Sequence, residues 1–241
     1  MIHLKTYRNH CLFALLLLSI YTSKAQQDPQ YTQYMYNTQV VNPAYAGNRE
    51  MLSFGLLGRT QWVSLEGSPE TGTFTVNSPI GLYDNMGLGL SIVYDKIGPA
   101  VESNVVVDYS YSINLSYNTK LAFGVKAGLD MLDVDYSKLT LSEQNDPYFQ
   151  SNVDNELQPQ VGAGLYLNND RFYAGLSVPN FLNTKHFDES SLENANTDDI
   201  AIERLHYFFI TGYVFDLNEN LKFKPATLVK YVSGSPLQWD I

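Results

Sequence analysis

Few side chains in this sequence are spaced for covalent chemistry. The single cysteine, Cys11, lies in an apolar N-terminal run, and beyond that run the histidines are His186 and His206. Neither has a serine or an acid near it in a catalytic arrangement, so a barrel hydrolase has no candidate set. Asp146, Asp154 and Glu156 are carboxylates of the type that binds calcium, but their spacing is not that of an EF-hand loop. No phosphate loop, zinc spacing or dinucleotide fingerprint occurs. The chain is therefore expected to need no cofactor or metal, and not to be an enzyme. What remains is hydrogen-bonding chemistry. Residues 26–50 are dense in Gln, Tyr and Asn, carry Pro29 and Pro43, and hold no sustained period of 2 or 3.6. Their amides and phenols suit binding either to the wall of the protein itself or to a partner. The plainer alternative makes 42–47 the turn into the first strand, which Pro and Gly favour.

The elements that position this segment begin after an export signal. Lys5 and Arg8 form a positive n-region, residues 11–20 an apolar h-region, and Ser23-Lys24-Ala25 a small-x-small cleavage site. The mature chain is expected to start at Gln26. Cleavage removes the one cysteine, which rules out a disulfide or a thiolate site in what is left. It also removes three cations and no acid, from a chain whose full net charge is already −10. Phosphate neutralisation needs lysine and arginine, so nucleic acid is not an expected partner.

From 105 to 117 the odd positions are Val105, Val107, Tyr109, Tyr111, Ile113, Leu115 and Tyr117. The even positions between them are polar apart from Val106: Asp108, Ser110, Ser112, Asn114 and Ser116. A strand sends alternate side chains to opposite faces, so one face is an apolar and tyrosine stripe. Alternation also marks 52–62, 88–94, 121–131, 161–167 and 221–231; 71–76, 172–178 and 207–215, the last apolar on both faces, are further strand candidates, with a tenth stub at 236–241. Short turns follow Tyr117, Leu167 and Leu217; acidic stretches read as long loops cover 133–156 and 183–203. Outer-membrane barrels show this asymmetry between short periplasmic turns and long external loops. Glycines recur on the polar face (Gly87, Gly89, Gly124, Gly128, Gly162, Gly164), where they relieve crowding inside a curved wall. Lys126 and Asp130 on that face suit a polar lumen better than a dry sandwich core. The expected fold is all-β: an antiparallel outer-membrane β-barrel of about ten strands, incomplete as it stands. Trp62, Tyr94, Tyr117 and Tyr231 are candidate interfacial residues, with ordinary sheet packing as the alternative.

The order of motifs carries a resemblance. Gln27-Asp28-Pro29-Gln30-Tyr31-Thr32-Gln33-Tyr34-Met35-Tyr36-Asn37 is followed by Asn42-Pro43-Ala44-Tyr45-Ala46-Gly47. Then come Arg59-Thr60-Gln61-Trp62-Val63, Gly67-Ser68-Pro69, Gly87-Leu88-Gly89-Leu90 and Asp95-Lys96-Ile97-Gly98-Pro99. Later pieces are Arg171 through Asn180, Lys222-Phe223-Lys224-Pro225, and Val232-Ser233-Gly234-Ser235-Pro236-Leu237. In this order they resemble the PorP/SprF family of Bacteroidetes membrane proteins over nearly all of the mature chain. Members of that family usually continue for several strands more, so the sequence resembles a C-terminally truncated one.

The resemblance implies an outer-membrane barrel that works with the type IX secretion machinery and with secreted cargo such as gliding adhesins. It divides the chain into a signal (1–25), an irregular segment (26–50) and a barrel (51–241). On the family motif, Asp28, Pro29, Gln30, Tyr31, Gln33, Tyr34, Asn42, Pro43, Ala44, Tyr45 and Gly47 are the candidate partner-contact residues. The long loops are candidates for cargo contact, or are simply solvated. An outer-membrane porin or hydrophobic-solute channel is the alternative function.

Overall fold

The computed structural model describes residues 34–81, 85–139, 152–182, 205–233 and 235–241. The signal, Asp28, Pro29, Gln30, Tyr31, Gln33, Asp146, His186, the middle of the 133–156 stretch (140–151) and the whole 183–203 stretch lie outside the described residues.

Strands follow one another almost without interruption. They are β1 (Ser53–Thr60), β2 (Glu70–Ile80), β3 (Met86–Ile97), β4 (Ala100–Ser116), β5 (Thr119–Val134), β6 (Val153–Asn168), β7 (Phe172–Val178), β8 (His206–Tyr213), β9 (Phe215–Asn218), β10 (Leu221–Phe223), β11 (Ala226–Val232) and β12 (Gln238–Asp240). Ten of them make one sheet, in the order β1-β2-β3-β4-β5-β6-β7-β8-β11-β12, and β9 pairs with β10. Every described pairing is antiparallel, as short connections between successive strands require. Among the described residues no pairing joins β12 back to β1, so the fold is an all-β barrel wall that does not close.

Three elements depart from the sequence expectation. β2 runs on past the expected end at 76 through Ser78-Pro79, with Pro79 opposite Gly87. Pairing of β1 stops at Ser53 opposite Asn77, so on that side Pro79 has no neighbour that needs its missing N–H. The stretch 133–156, expected as a loop, is strand at its two ends only: β5 reaches Val134 and β6 starts at Val153. Backbone pairing continues there although apolar alternation has ended, because ladder hydrogen bonds need no apolar side chain. Finally, 207–215 and 221–231 are each broken, at Val214 and at Lys224-Pro225. The Tyr213 N–H still donates to the Pro225 carbonyl at 3.1 Å, which keeps β8–β9 and β10–β11 in line as two bent staves.

The 105–117 stripe points outward. Val107 is 48% exposed and Tyr111 43%, whereas Val106, Asp108 and Ser110 between them are at 1% or less. Leu88 and Ile92 on β3, Phe123, Val125 and Leu129 on β5, and Leu157, Val161 and Leu165 on β6 extend the exposed apolar band. A band of that kind facing water would drive aggregation; facing acyl chains it is matched. Trp62, Tyr94, Tyr117 and Tyr231 are all exposed too, near strand ends. Placing a charge in the band tests its solvent. Val107→Arg, near the middle of β4, should lower folding stability in phospholipid vesicles by about 2–4 kcal/mol. Chemical denaturation reads this out, and an unchanged stability would mean that lipid does not contact this face.

The connections sort by end. β2–β3, β4–β5, β6–β7 and β9–β10 join by a few residues at one end; 61–69 and the β5–β6 and β7–β8 connections lie at the other. The β3–β4 turn at Gly98-Pro99 is a tight exception at the long-loop end.

Candidate functional site

The segment from Tyr34 to Gly47, which the sequence left without a period, sits on the inner face of the wall. It contains one helical turn, α1 (Thr38–Val41), and a 3-10 turn at Pro43–Tyr45. Both are locally specified. The Thr38 Oγ1 donates to the Tyr34 carbonyl at 3.0 Å. Asn42 ends α1 and starts the next turn: its Oδ1 accepts from the Ala44 N–H at 3.0 Å, and Pro43 supplies a first position that needs no N–H. Gly47 adopts φ +71°, a left-handed conformation that suits glycine, and its N–H donates to Asn77 Oδ1 at 3.2 Å. The segment is thus both a buried insert and the turn into β1.

Of the family-motif residues that the structure describes, Tyr34, Asn42, Pro43, Ala44 and Gly47 are buried, Asn42 and Ala44 completely so, and Tyr45 is half-buried. Asn42 Nδ2 donates to the Leu165 carbonyl on β6 at 2.9 Å. Tyr45 stands edge-on to Tyr166, ring centroids 5.4 Å apart, and its hydroxyl accepts from Arg49 Nε at 3.1 Å. Tyr166 in turn stacks on Tyr173. Tyr34, Val41 and Ala44 join Ala122, Tyr166, Phe208, Ile210, Ala226 and Leu228 in one apolar cluster. Lys224 and Lys230 lie over the rings of Tyr173 and Phe208, at 5.0 and 5.5 Å from the centroids. His206 is buried on the same face, its ring edge-on to Phe208. This flank of the insert is held by packing.

The opposite flank is polar, and sequence reasoning did not assign its central residue, Gln39. Gln39 Nε2 donates to Asp108 Oδ2 at 3.0 Å and to Ser91 Oγ at 3.1 Å, and its Oε1 accepts from Asn77 Nδ2 at 2.8 Å. One side chain therefore joins β2, β3 and β4. Lys126 on β5 donates to the Val40 carbonyl at 2.6 Å and stands 3.8 Å from Asp108 Oδ1, with both side chains at 2% exposure or less. Ser110 Oγ donates to the Ala46 carbonyl at 2.6 Å. The visible signal was the charge at Lys126 on the inward face; what it bonds to lies 86 residues away.

The inward glycines have a more specific task than relieving curvature. A Cβ on Gly124 would strike the backbone of Pro43 and Ala44, one on Gly87 the Ala46 carbonyl, and one on Gly164 the Asn42 side chain. They are the seat of the insert. A cavity of about 100 Å³ remains on the long-loop side, floored by Val40 and Val41 and walled by Asp95, Glu102, Asn104, Asp130 and Gln160. A second cavity, beside β1, is lined by Tyr36, Asn37 and Thr73. Asn37 Nδ2 and Thr73 Oγ1 find no hydrogen-bond partner there.

The β5–β6 connection is clasped at its root. Asp133 Oδ1 accepts from the Asn155 N–H and Asn152 Oδ1 from the Tyr136 N–H. Hydrogen bonds from Ser137, helped by Lys138, hold the Asp135 carboxyl below the usual carboxylate range. Burial, with Glu156 nearby, raises the Tyr136 phenol. Asp154 and Glu156 sit on β6, and among the described residues no group of three His, Cys, Asp or Glu is placed to hold a metal ion.

Residues 23–241 match the family model described as type IX secretion system membrane protein PorP/SprF. No curated protein and no solved structure matches the chain.

Proposed function

Because the chain belongs to the PorP/SprF family of type IX secretion system membrane proteins, we propose that it is an outer-membrane accessory barrel that partners the secretion or surface attachment of cargo such as a gliding adhesin. The family match, spanning almost everything after the signal, carries this reading. The apolar outer face, the export signal and the two unequal ends support an outer-membrane placement, short turns toward the periplasm. The family is one of secretion-system membrane proteins, not of enzymes. The occupied inner face weighs against a porin or hydrophobic-solute channel.

Within this reading the motif residues divide into two groups. Tyr34, Asn42, Pro43, Ala44 and Gly47, which are buried, and Tyr45, which is half-buried against Tyr166, act on a partner only indirectly, by holding the insert against the wall. Direct contact falls to Asp28, Pro29, Gln30, Tyr31 and Gln33 and to the long loops. Deleting the gene should abolish surface display of one adhesin while solute uptake stays unchanged, and the protein should co-purify with the cargo's C-terminal domain. Intact adhesin display together with lost solute uptake would overturn the proposal in favour of a channel.

A further inference from the structure

We propose that residues 34–47 form a fixed plug that closes the inside of the barrel to solvent, and that a buried latch of Gln39, Asp108 and Lys126 keeps it seated. The inference stands apart from the cargo-partner role, since the fit of the segment against the wall depends on no partner.

Two independent features carry it. The first is the fit. Three inward glycines on three strands leave room for the Pro43–Ala44 and Ala46 backbone and the Asn42 side chain and for nothing else, and Asn42 and Ala44 are wholly buried on them. Side chains larger than hydrogen at these positions would be ordinary in an empty lumen. The second is the way charge is distributed. Asp108 and Lys126 are almost fully removed from solvent, and each also bonds the segment, Asp108 through the Gln39 amide and Lys126 through the Val40 carbonyl. Withdrawing the segment would strip a hydrogen bond from both ions while they remain against the wall. Until water enters to replace those bonds the loss is strongly unfavourable, so the pair resists withdrawal.

Thiol accessibility tests both parts. Beyond Cys11 the chain has no cysteine, so a thiol introduced in a Cys11→Ser background is unique. Ser110 is 1% exposed beneath Ala46, with β2 and β3 between it and the free edge at β1. In the full chain folded into vesicles, Ser110→Cys should react with a membrane-impermeant maleimide at least about 100-fold more slowly than Tyr117→Cys in the exposed β4–β5 turn. Adding Gln39→Ala, which leaves Asp108 and Lys126 facing one another, should speed labelling of Ser110→Cys at least about tenfold while the strand signal in circular dichroism is kept. Equal labelling of the two thiols in a folded barrel would overturn the seal. Labelling that stays slow with Gln39→Ala would overturn the latch. Should Gln39→Ala not fold, Gln39→Glu replaces it, since a carboxylate facing Asp108 must also unseat the plug; slow labelling there overturns the latch equally.

Discussion

Lys126→Met should destabilise the folded barrel by about 3–5 kcal/mol, because it leaves Asp108 as a buried carboxylate without its cation. Asp108 is 0% exposed and Lys126 3%, so water cannot replace the lost partner without opening the wall. The methionine keeps the length of the lysine stem, which separates charge from packing. Asp108→Asn should be milder, since the amide still accepts from Gln39 and Ser91, and the double variant Asp108→Asn/Lys126→Met should be more stable than Lys126→Met alone. Urea unfolding in detergent or vesicles gives all three values, and the double-mutant cycle isolates the coupling. Simple additivity of the two changes would mean that the pair is solvated and does not act as one unit.

Gly124→Val is the second large effect. Its side chain would occupy the space of the Pro43–Ala44 backbone, which cannot rotate away as a flexible side chain would. Overpacking of a tight core typically destabilises by 1–3 kcal/mol, and a clash against backbone belongs at or above the top of that range, about 3 kcal/mol. Gly58→Ala and Gly72→Ala are the matched controls. Both glycines lie in strands with nothing within 4 Å of an added Cβ, so their replacements should stay within about 0.5 kcal/mol of the parent. If Gly124→Val behaved like Gly58→Ala, the insert would not be seated on β5.

These two positions also show how far the sequence was legible. The strands were readable because alternation is a local property: 105–117 declares two faces within thirteen consecutive side chains, and the structure turns its apolar face outward. Gly124 and Lys126 were visible as oddities of the inward face, the one too small and the other charged. Their common cause was not visible. It is a helical turn about 85 residues upstream, and nothing local in Gln39 distinguishes it from the other amides of its polar segment. Strand ends failed for a different reason. The β5–β6 hairpin continues past its apolar stretch into acidic sequence, where backbone pairing persists and side-chain patterning is silent. β2 likewise outruns its expected range of 71–76, because the position of Pro79 beyond the end of β1, not its identity, decides whether a strand tolerates it.

The plug's bonds have a consequence for the order of assembly. The segment is synthesised before any strand, yet its contacts run from Asn77 on β2 through Leu165 on β6 to Leu228 on β11. Closing loops of that length is slow compared with zipping a hairpin to its neighbour. The hairpins can therefore form early and the seating of residues 34–47 must come late, when the wall has curled far enough to offer all of its anchoring points. Until then the segment is a mandrel without its sleeve, with Asp108 and Lys126 still hydrated, and the loss of that hydration belongs to the last step of folding.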